Sequence, residues 1–295
     1  MSYAAPVRDL RFALEEIAGI EGLKSSGAFA DLSPDLIQAI LEESGKLAAD
    51  VLAPLNKIGD REGVQLQNGV VRAAPGFGEA YQQFVAGGWQ GLPFDPEFGG
   101  LGLPRALSLA VSEMMHGANM SFALAPMLTL GAIEALQAHG TAQQKATYLP
   151  KLISGEWTGT MNLTEPQAGS DVGALTARAV PQDDGSFRIF GQKIYITWGD
   201  HDMAANTIHL VLARTPSAPI GSRGVSLFIV PKFLPKPDGT LGHRNDVRCI
   251  GLEHKMGIHG SPTCTMAYGE VDGAIGWLIG EENKGLAAMF TMVNS

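Results

Sequence analysis

Cysteine is nearly absent: Cys249 and Cys264 are the only two in 295 residues, and neither belongs to a CxxC pair. That scarcity excludes a disulfide framework or a zinc-ribbon spacing and leaves both thiols as small core residues. Clustered basic charge is missing too. Lysine and arginine total 21 against 30 acidic residues, a net charge of -9, with no run of cations. Phosphate backbones need a basic footprint, so nucleic acid is not an expected partner. None of the seven histidines falls in HExxH or in a carboxylate-flanked ligand pattern, and no metal site is expected. Ser170 does not stand in a GxSxG elbow, and no GxGxxG follows a first strand, so hydrolase chemistry and a Rossmann-type nucleotide site are not indicated. The N-terminus, MSYAAPVRDLRFALEE, has charges where a signal peptide needs an apolar run. No stretch approaches eighteen uncharged apolar residues, so a cytoplasmic chain without a membrane span is expected.

What is present describes an ordered globular protein. Hydrophobic residues make up 45% and charged residues 17%, and the length suffices for two domains with a large core. There is no internal repeat. The first 32 residues hold one short helical pattern, Leu10, Phe12, Leu14 and Ile17, followed by a polar break at 24–27. Ser33-Pro34 reads as a helix start with Ser as N-cap and Pro at the first position, and Pro54 as the stop. GVQLQNGVVRA (63–73) reads as a hairpin turning at Asn68-Gly69. A helix follows near 78–87, then the Gly- and Pro-rich loop LPFDPEFGGLGLP (92–104), then helices over about 104–117 and 121–139 and a short one capped by Thr141. After Trp157 the character changes. Segments near 158–164, 174–180, 186–197, 207–214, 225–231, 247–252 and 263–271 alternate or are β-branched, with turn signals between them. The expected fold is therefore an α+β multidomain one: an all-helical domain (1–157), a small β-barrel of seven or eight strands (158–280), and the start of another helical domain from 281. The helix begun there reaches Ser295 uncapped, which predicts that a C-terminal helical domain is missing from the chain.

Residues 156–197 are the most informative. Thr164 and Thr197 each close an extended segment, and Ala168, Gly169, Ser170 and Asp171 between them are small or hydroxylated. Hydroxyls and free N–H groups on neighbouring strands, beside glycine that lets a ligand approach the backbone, make a polar wall suited to a flat heteroaromatic ring.

The ordered strings FDPEFGGLGLP (94–104), GTAQQKATYLPKLISGEW (140–157), TEPQAGSD with GQKIYIT, RGVSLFIVPKF (223–233), HKMGIHGSPTC (254–264) and GEENKGL (280–286) resemble the acyl-CoA dehydrogenase family from about Gly91 to the end. The wording GTMNLTEP, HLVLARTPSAPIGSRG and VPKFLPKPDG is most similar to a long-chain-length branch, typically near twice this size, that includes 3-methylthiopropanoyl-CoA dehydrogenases. The resemblance implies an FAD-dependent oxidoreductase that makes the 2-enoyl-CoA by α,β-dehydrogenation of an acyl-CoA. By position, the backbone of Met161 and Leu163 and the hydroxyl and N–H of Thr164 meet the pyrimidine end of the flavin. Thr197 hydrogen-bonds flavin N5, Ile196 precedes it, and Tyr195 stands where the family often has tryptophan packed on the ring. Gly169 and Ser170 lie near the FAD pyrophosphate, with Ser170 also at the pantetheine entrance. Gln167 replaces a commonly small residue there. Glu165 reads as structural. The resemblance puts the catalytic glutamate beyond Ser295, so no catalytic residue is assigned within the chain. It also implies electron-transfer flavoprotein as acceptor and a homo-oligomer, tetramer or dimer, at full length. Weak or absent FAD binding and no activity are expected of residues 1–295 alone. A 3-methylthiopropanoyl-CoA dehydrogenase specifically, an acyl-CoA oxidase and a non-catalytic half of a split enzyme are the alternatives.

Overall fold

The structure, a computed structural model, describes residues 3–25, 29 and 32–294. Helix α1 (Val7–Phe12) runs into a π-helical turn, Ala13–Ile17, and α2 is the single turn Gly22–Ser25. The polar break expected at 24–27 begins inside α2 and otherwise lies outside the described residues. Helix α3 (Pro34–Lys46) starts as its sequence dictates, with Ser33 Oγ accepting from the Leu36 N–H at 3.1 Å. Pro54 does not stop it. A π-helical turn, Leu47–Leu52, intervenes, and Pro54 occupies the first turn of α4 (Ala53–Glu62), where proline's missing N–H costs nothing.

Strands β1 (Gln65–Gln67) and β2 (Val70–Arg72) form the expected hairpin, with Asn68 and Gly69 both at positive φ, as a type I′ turn demands. Helix α5 (Phe77–Ala86) follows. The two long helices expected over 104–139 are limbs of one element, α6 (Arg105–His139), whose backbone leaves helical geometry at Asn119 (φ -157°, ψ 88°). Helix α7 (Ala142–Ile153) opens with a complete capping box between Thr141 and Gln144. One core cluster gathers α3 to α6 around Phe77, Tyr81, Phe84 and Phe122, with ring centroids 5.9–6.4 Å apart. By length and composition α6 could cross a membrane, which the sequence reading overlooked, but 67% of its most apolar window is buried inside the protein.

The β domain contains β3 (Trp157–Asn162), β4 (Arg178–Pro181), β5 (Phe187–Thr197), β6 (Asn206–Ala213), β7 (Ser226–Pro231), β8 (Phe233–Pro235), β9 (Leu241–Arg244), β10 (Val247–Leu252), β11 (Thr263–Tyr268) and β12 (Ala274–Ile279). Eight of these make one sheet in the order β10-β11-β5-β12-β7-β6-β3, with β4 also on β5, while β8 and β9 pair separately. The expected barrel does not close by hydrogen bonds: β3 and β10 are edges of an open path. Strand β12 and the β8–β9 hairpin are additions to the expected set. Val271, which reads as strand, sits instead in a turn whose N–H groups at Val271, Asp272 and Gly273 all donate to the Asp246 carboxylate. Strand β3 lies against α6 so closely that a Cβ on Gly159 would sit 2.4 Å from Ala132 Cβ. The helix expected from 281 is α8 (Gly285–Val293), which begins four residues later and packs Met292 over Gly131 of α6.

Candidate functional site

Strand β3 is an edge strand, so alternate backbone groups face away from β6. Beyond it the chain enters a tight turn in which Glu165 and Ala168 exchange N–H···O bonds at 2.9 and 3.0 Å. Two contacts set this region against β5: Ile194 N–H donates to Thr164 O at 2.9 Å, and Thr160 Oγ1 donates to Thr197 O at 2.9 Å. The two predicted threonines are thereby brought to one seam, at most about 10 Å apart along it at strand rise. Both are half-buried, and among the described residues neither hydroxyl meets a protein partner. Among the described residues, the N–H groups of Leu163, Thr164, Gly169 and Ser170 also lack a protein acceptor. The side chains of Met161 and Leu163 pack toward the cluster beneath α6, which leaves their backbone as the part available to a ligand. Ile196 is turned into the β core, and its carbonyl accepts from Gly199 N–H.

Tyr195 is the residue that strand geometry alone would not place. The β5–β11 register slips between Cys264↔Ile196 and Met266↔Lys193, a bulge that puts Tyr195 at φ +58° and leaves its side chain 60% exposed. A left-handed tyrosine costs of order 1–3 kcal/mol, a strain typical of ligand sites. Three residues on, Trp198 repeats the positive φ but is buried; its Nε1–H donates to Ser121 O at 3.0 Å, and its ring stacks on Phe77. Trp198 thus ties the end of β5, immediately after Thr197, to α6 just past the Asn119 kink.

Behind this wall lies a fully buried ion pair. Lys193 Nζ donates to Glu165 Oε1 at 2.8 Å and to Leu163 O at 3.0 Å. The Glu165 carboxylate also accepts from Thr176 N–H (2.8 Å), Thr176 Oγ1 (2.9 Å), Ala177 N–H (3.1 Å) and Gln167 Nε2 (2.6 Å). Burial pushes the Glu165 pKa up, but the Lys193 ammonium and the backbone donors outweigh it and hold it below the usual value. Burial likewise pushes Lys193 down to about 8, against the pull of Glu165. Glu165 is therefore a saturated structural carboxylate. Gln167 folds back onto it instead of lining the open side. Sequence reasoning missed Lys193, although a lysine in the inward phase of β5, set by Ile189, is a readable signal.

Ser170 and Gly169 are exposed at the rim. The neighbouring loops are locked by Arg214, whose guanidinium donates to the carbonyls of Leu175 (2.7 Å), Pro219 (3.0 Å), Gly221 (2.8 Å) and Gly173. Burial drives His201 and His209 down to about 3, so both are neutral; His201 Nε2 lies 2.9 Å from Thr158 Oγ1. Cys249 and Cys264 are free and buried, as small core residues should be. A cavity of about 40 Å³ between α5 and the two limbs of α6 is lined by Phe84, Val111, Met115, Ala123, Pro126 and Met127 among others. Unpaired donors along one edge, an exposed aromatic at strained φ and an apolar flank fit a flat ring with acceptor atoms on its rim.

The family model described as "Acyl-CoA dehydrogenase, N-terminal domain" matches residues 37–156, and "Acyl-CoA dehydrogenase, middle domain" matches 160–271. A 3-methylmercaptopropionyl-CoA dehydrogenase of Ruegeria pomeroyi is 50% identical over 295 residues, which is 100% of this chain and 50% of that protein. A butyryl-CoA dehydrogenase of Syntrophomonas wolfei is 42% identical over 303 residues, covering 99% of this chain and 50% of its own length. The chain thus spans about half the length of the curated relatives it matches. Among solved structures, Megasphaera elsdenii butyryl-CoA dehydrogenase superposes with a TM-score of 0.69 at 23% identity, over 90% of this chain and 63% of that one. An acyl-CoA dehydrogenase complexed with FAD from Bacillus anthracis gives 0.70 at 23%, over 90% and 40%. These two likenesses establish the fold.

Proposed function

This chain belongs to the acyl-CoA dehydrogenase family, and from that premise we propose that it forms the helical and β domains of an FAD-dependent enzyme that dehydrogenates acyl-CoA thioesters across Cα–Cβ. The observation that carries this reading is the pair of unpartnered hydroxyls, Thr164 and Thr197, on one seam with the free N–H groups of Leu163 and Thr164. FAD, on which the family depends, supplies the acceptor for the β-hydrogen and its electron pair. Thr164 and the Leu163 N–H would hold the acceptor-rich end of the ring, Thr197 would donate a hydrogen bond beside the redox-active part of it, and Tyr195 would cover the ring face. These donors are fixed before reaction, which favours the electron-rich reduced state without reorganisation. Ser170 stands at the entrance of the pantetheine arm, with Gly169 beside it on the pyrophosphate side. The α-proton goes to a carboxylate. Glu165 is not that base, because both its oxygens are taken up by Lys193, Thr176, Ala177 and Gln167; the base is proposed to be another carboxylate of the full-length enzyme.

Fifty per cent identity to a 3-methylmercaptopropionyl-CoA dehydrogenase supports that thioester as the first substrate to test. Electrons are proposed to leave to an electron-transfer flavoprotein, from a homo-oligomer. The test is an anaerobic titration of the protein made from its complete reading frame with 3-methylmercaptopropionyl-CoA, butyryl-CoA and a long straight-chain acyl-CoA, following the flavin's visible band. Bleaching by the first two at lower concentration than by the third is the expected result. A yellow protein that no acyl-CoA bleaches would refute the chemistry, and a colourless one the flavin.

A further inference from the structure

We propose that the buried Lys193–Glu165 pair is a positioning device that aims the Thr164 N–H at the flavin, a role that rests on the FAD reading above. Lys193 is wholly buried and the Glu165 side chain is 2% exposed. A buried ion pair of this kind is weak evidence for stability, since well-packed apolar residues often do as well. Its placement points to geometry. Leu163 C=O and Thr164 N–H belong to one planar trans peptide, so they point in opposite directions. Lys193 Nζ, 3.0 Å from Leu163 O, draws that carbonyl inward and thereby turns the Thr164 N–H outward to the open seam. A cation on the carbonyl oxygen also polarises the same peptide and strengthens its N–H as a donor.

The other end of the device is equally fixed. Glu165 follows Thr164 directly, and its carboxylate is held by Thr176, Ala177 and Gln167 as well as by Lys193. Lys193 itself precedes the Tyr195 bulge by two residues and Thr197 by four, and Ile194 N–H secures Thr164 O. One lysine therefore links the strand that carries Thr197 to the peptide that carries the Thr164 donor. The turn at Glu165–Ala168 presents Gly169 and Ser170 from the same anchor.

The test compares the complete reading-frame protein with K193M and with K193M/E165Q, the double variant relieving the unpaired carboxylate that would otherwise compromise folding. Each is examined by circular dichroism, FAD dissociation constant and flavin midpoint potential. The expected result is a folded double variant whose FAD dissociation constant rises several-fold, up to about tenfold, as for loss of one neutral hydrogen bond, and whose midpoint potential falls because the reduced flavin loses more than the oxidised one. Wild-type affinity and potential in the folded double variant would overturn the proposal while leaving the flavin reading intact. A double variant that does not fold would also overturn it, because the pair would then serve stability. Wild-type protein that takes up no FAD would overturn the flavin reading itself and the proposal with it.

Discussion

Replacing Asn119 tests how the helical domain supports the site. Asn119 is 1% exposed, sits at the break in α6, and makes two hydrogen bonds in opposite directions. Its Nδ2 donates to Leu52 O at 3.1 Å, across 67 residues of sequence, and its Oδ1 accepts from Phe122 N–H at 3.1 Å. The second bond is an N-cap for the following limb of α6, worth about 1 kcal/mol. The first satisfies a buried carbonyl, whose loss of partner costs about 1–3 kcal/mol. Asn119→Ala removes both, for a destabilisation of about 2–4 kcal/mol, or roughly 5–15 °C in Tm for a domain of this size. Asn119→Ser keeps a cap oxygen but is too short to reach Leu52, so it should retain about 1 kcal/mol of that. Urea unfolding of the two variants beside the parent gives the numbers. Because Trp198 is anchored to Ser121, two residues past the break, the Ala variant should also bind FAD less tightly than the Ser variant. Values for Asn119→Ala within about 0.5 kcal/mol of the parent would place it with neutral surface changes and refute the account.

Further changes probe the wall and its support. Thr197→Val removes a hydroxyl with no protein partner, so urea stability should stay within about 0.5 kcal/mol while stopped-flow reduction of the flavin by acyl-CoA slows about tenfold or more. Gly159→Ala brings a Cβ to 2.4 Å from Ala132 Cβ and should cost about 1–3 kcal/mol by urea unfolding as β3 is pushed off α6. His259 bridges the domains: its Nε2 and Nδ1 face the carbonyls of Lys255 (2.8 Å) and Asp60 (3.1 Å), and both ring nitrogens can donate only in the imidazolium form. Those carbonyls, with the Asp60 carboxylate, raise its pKa. The stabilisation is therefore full below the unfolded value, near 6.5, and lost as pH rises through the folded value. His259→Gln should abolish that loss in urea midpoints measured upward from about pH 5.

Much of this protein is legible residue by residue. The Asn68-Gly69 turn, the Ser33 cap and the Thr141–Gln144 box are decided within four positions, so local chemistry suffices. The break near Asn119 in α6 falls in the gap between the two helix ranges read from the sequence. Family likeness carried Thr164 and Thr197 to the site, and the seam brings both together. Sequence could not decide that Pro54 begins a helix, since that depends on the π-helical turn before it. Nor could it decide that the sheet stays open, because closure is a matter of how eight strands meet. The sequence by itself determined the order of helical and β segments, because periodicity, caps and turn residues act over a few positions, and it marked the candidate donors only through family likeness. Only the tertiary structure decided that Lys193 meets Glu165 across 28 residues and Asn119 meets Leu52 across 67. Those contacts arise where buried polar groups must find partners, and the chain offers such partners only once it has folded.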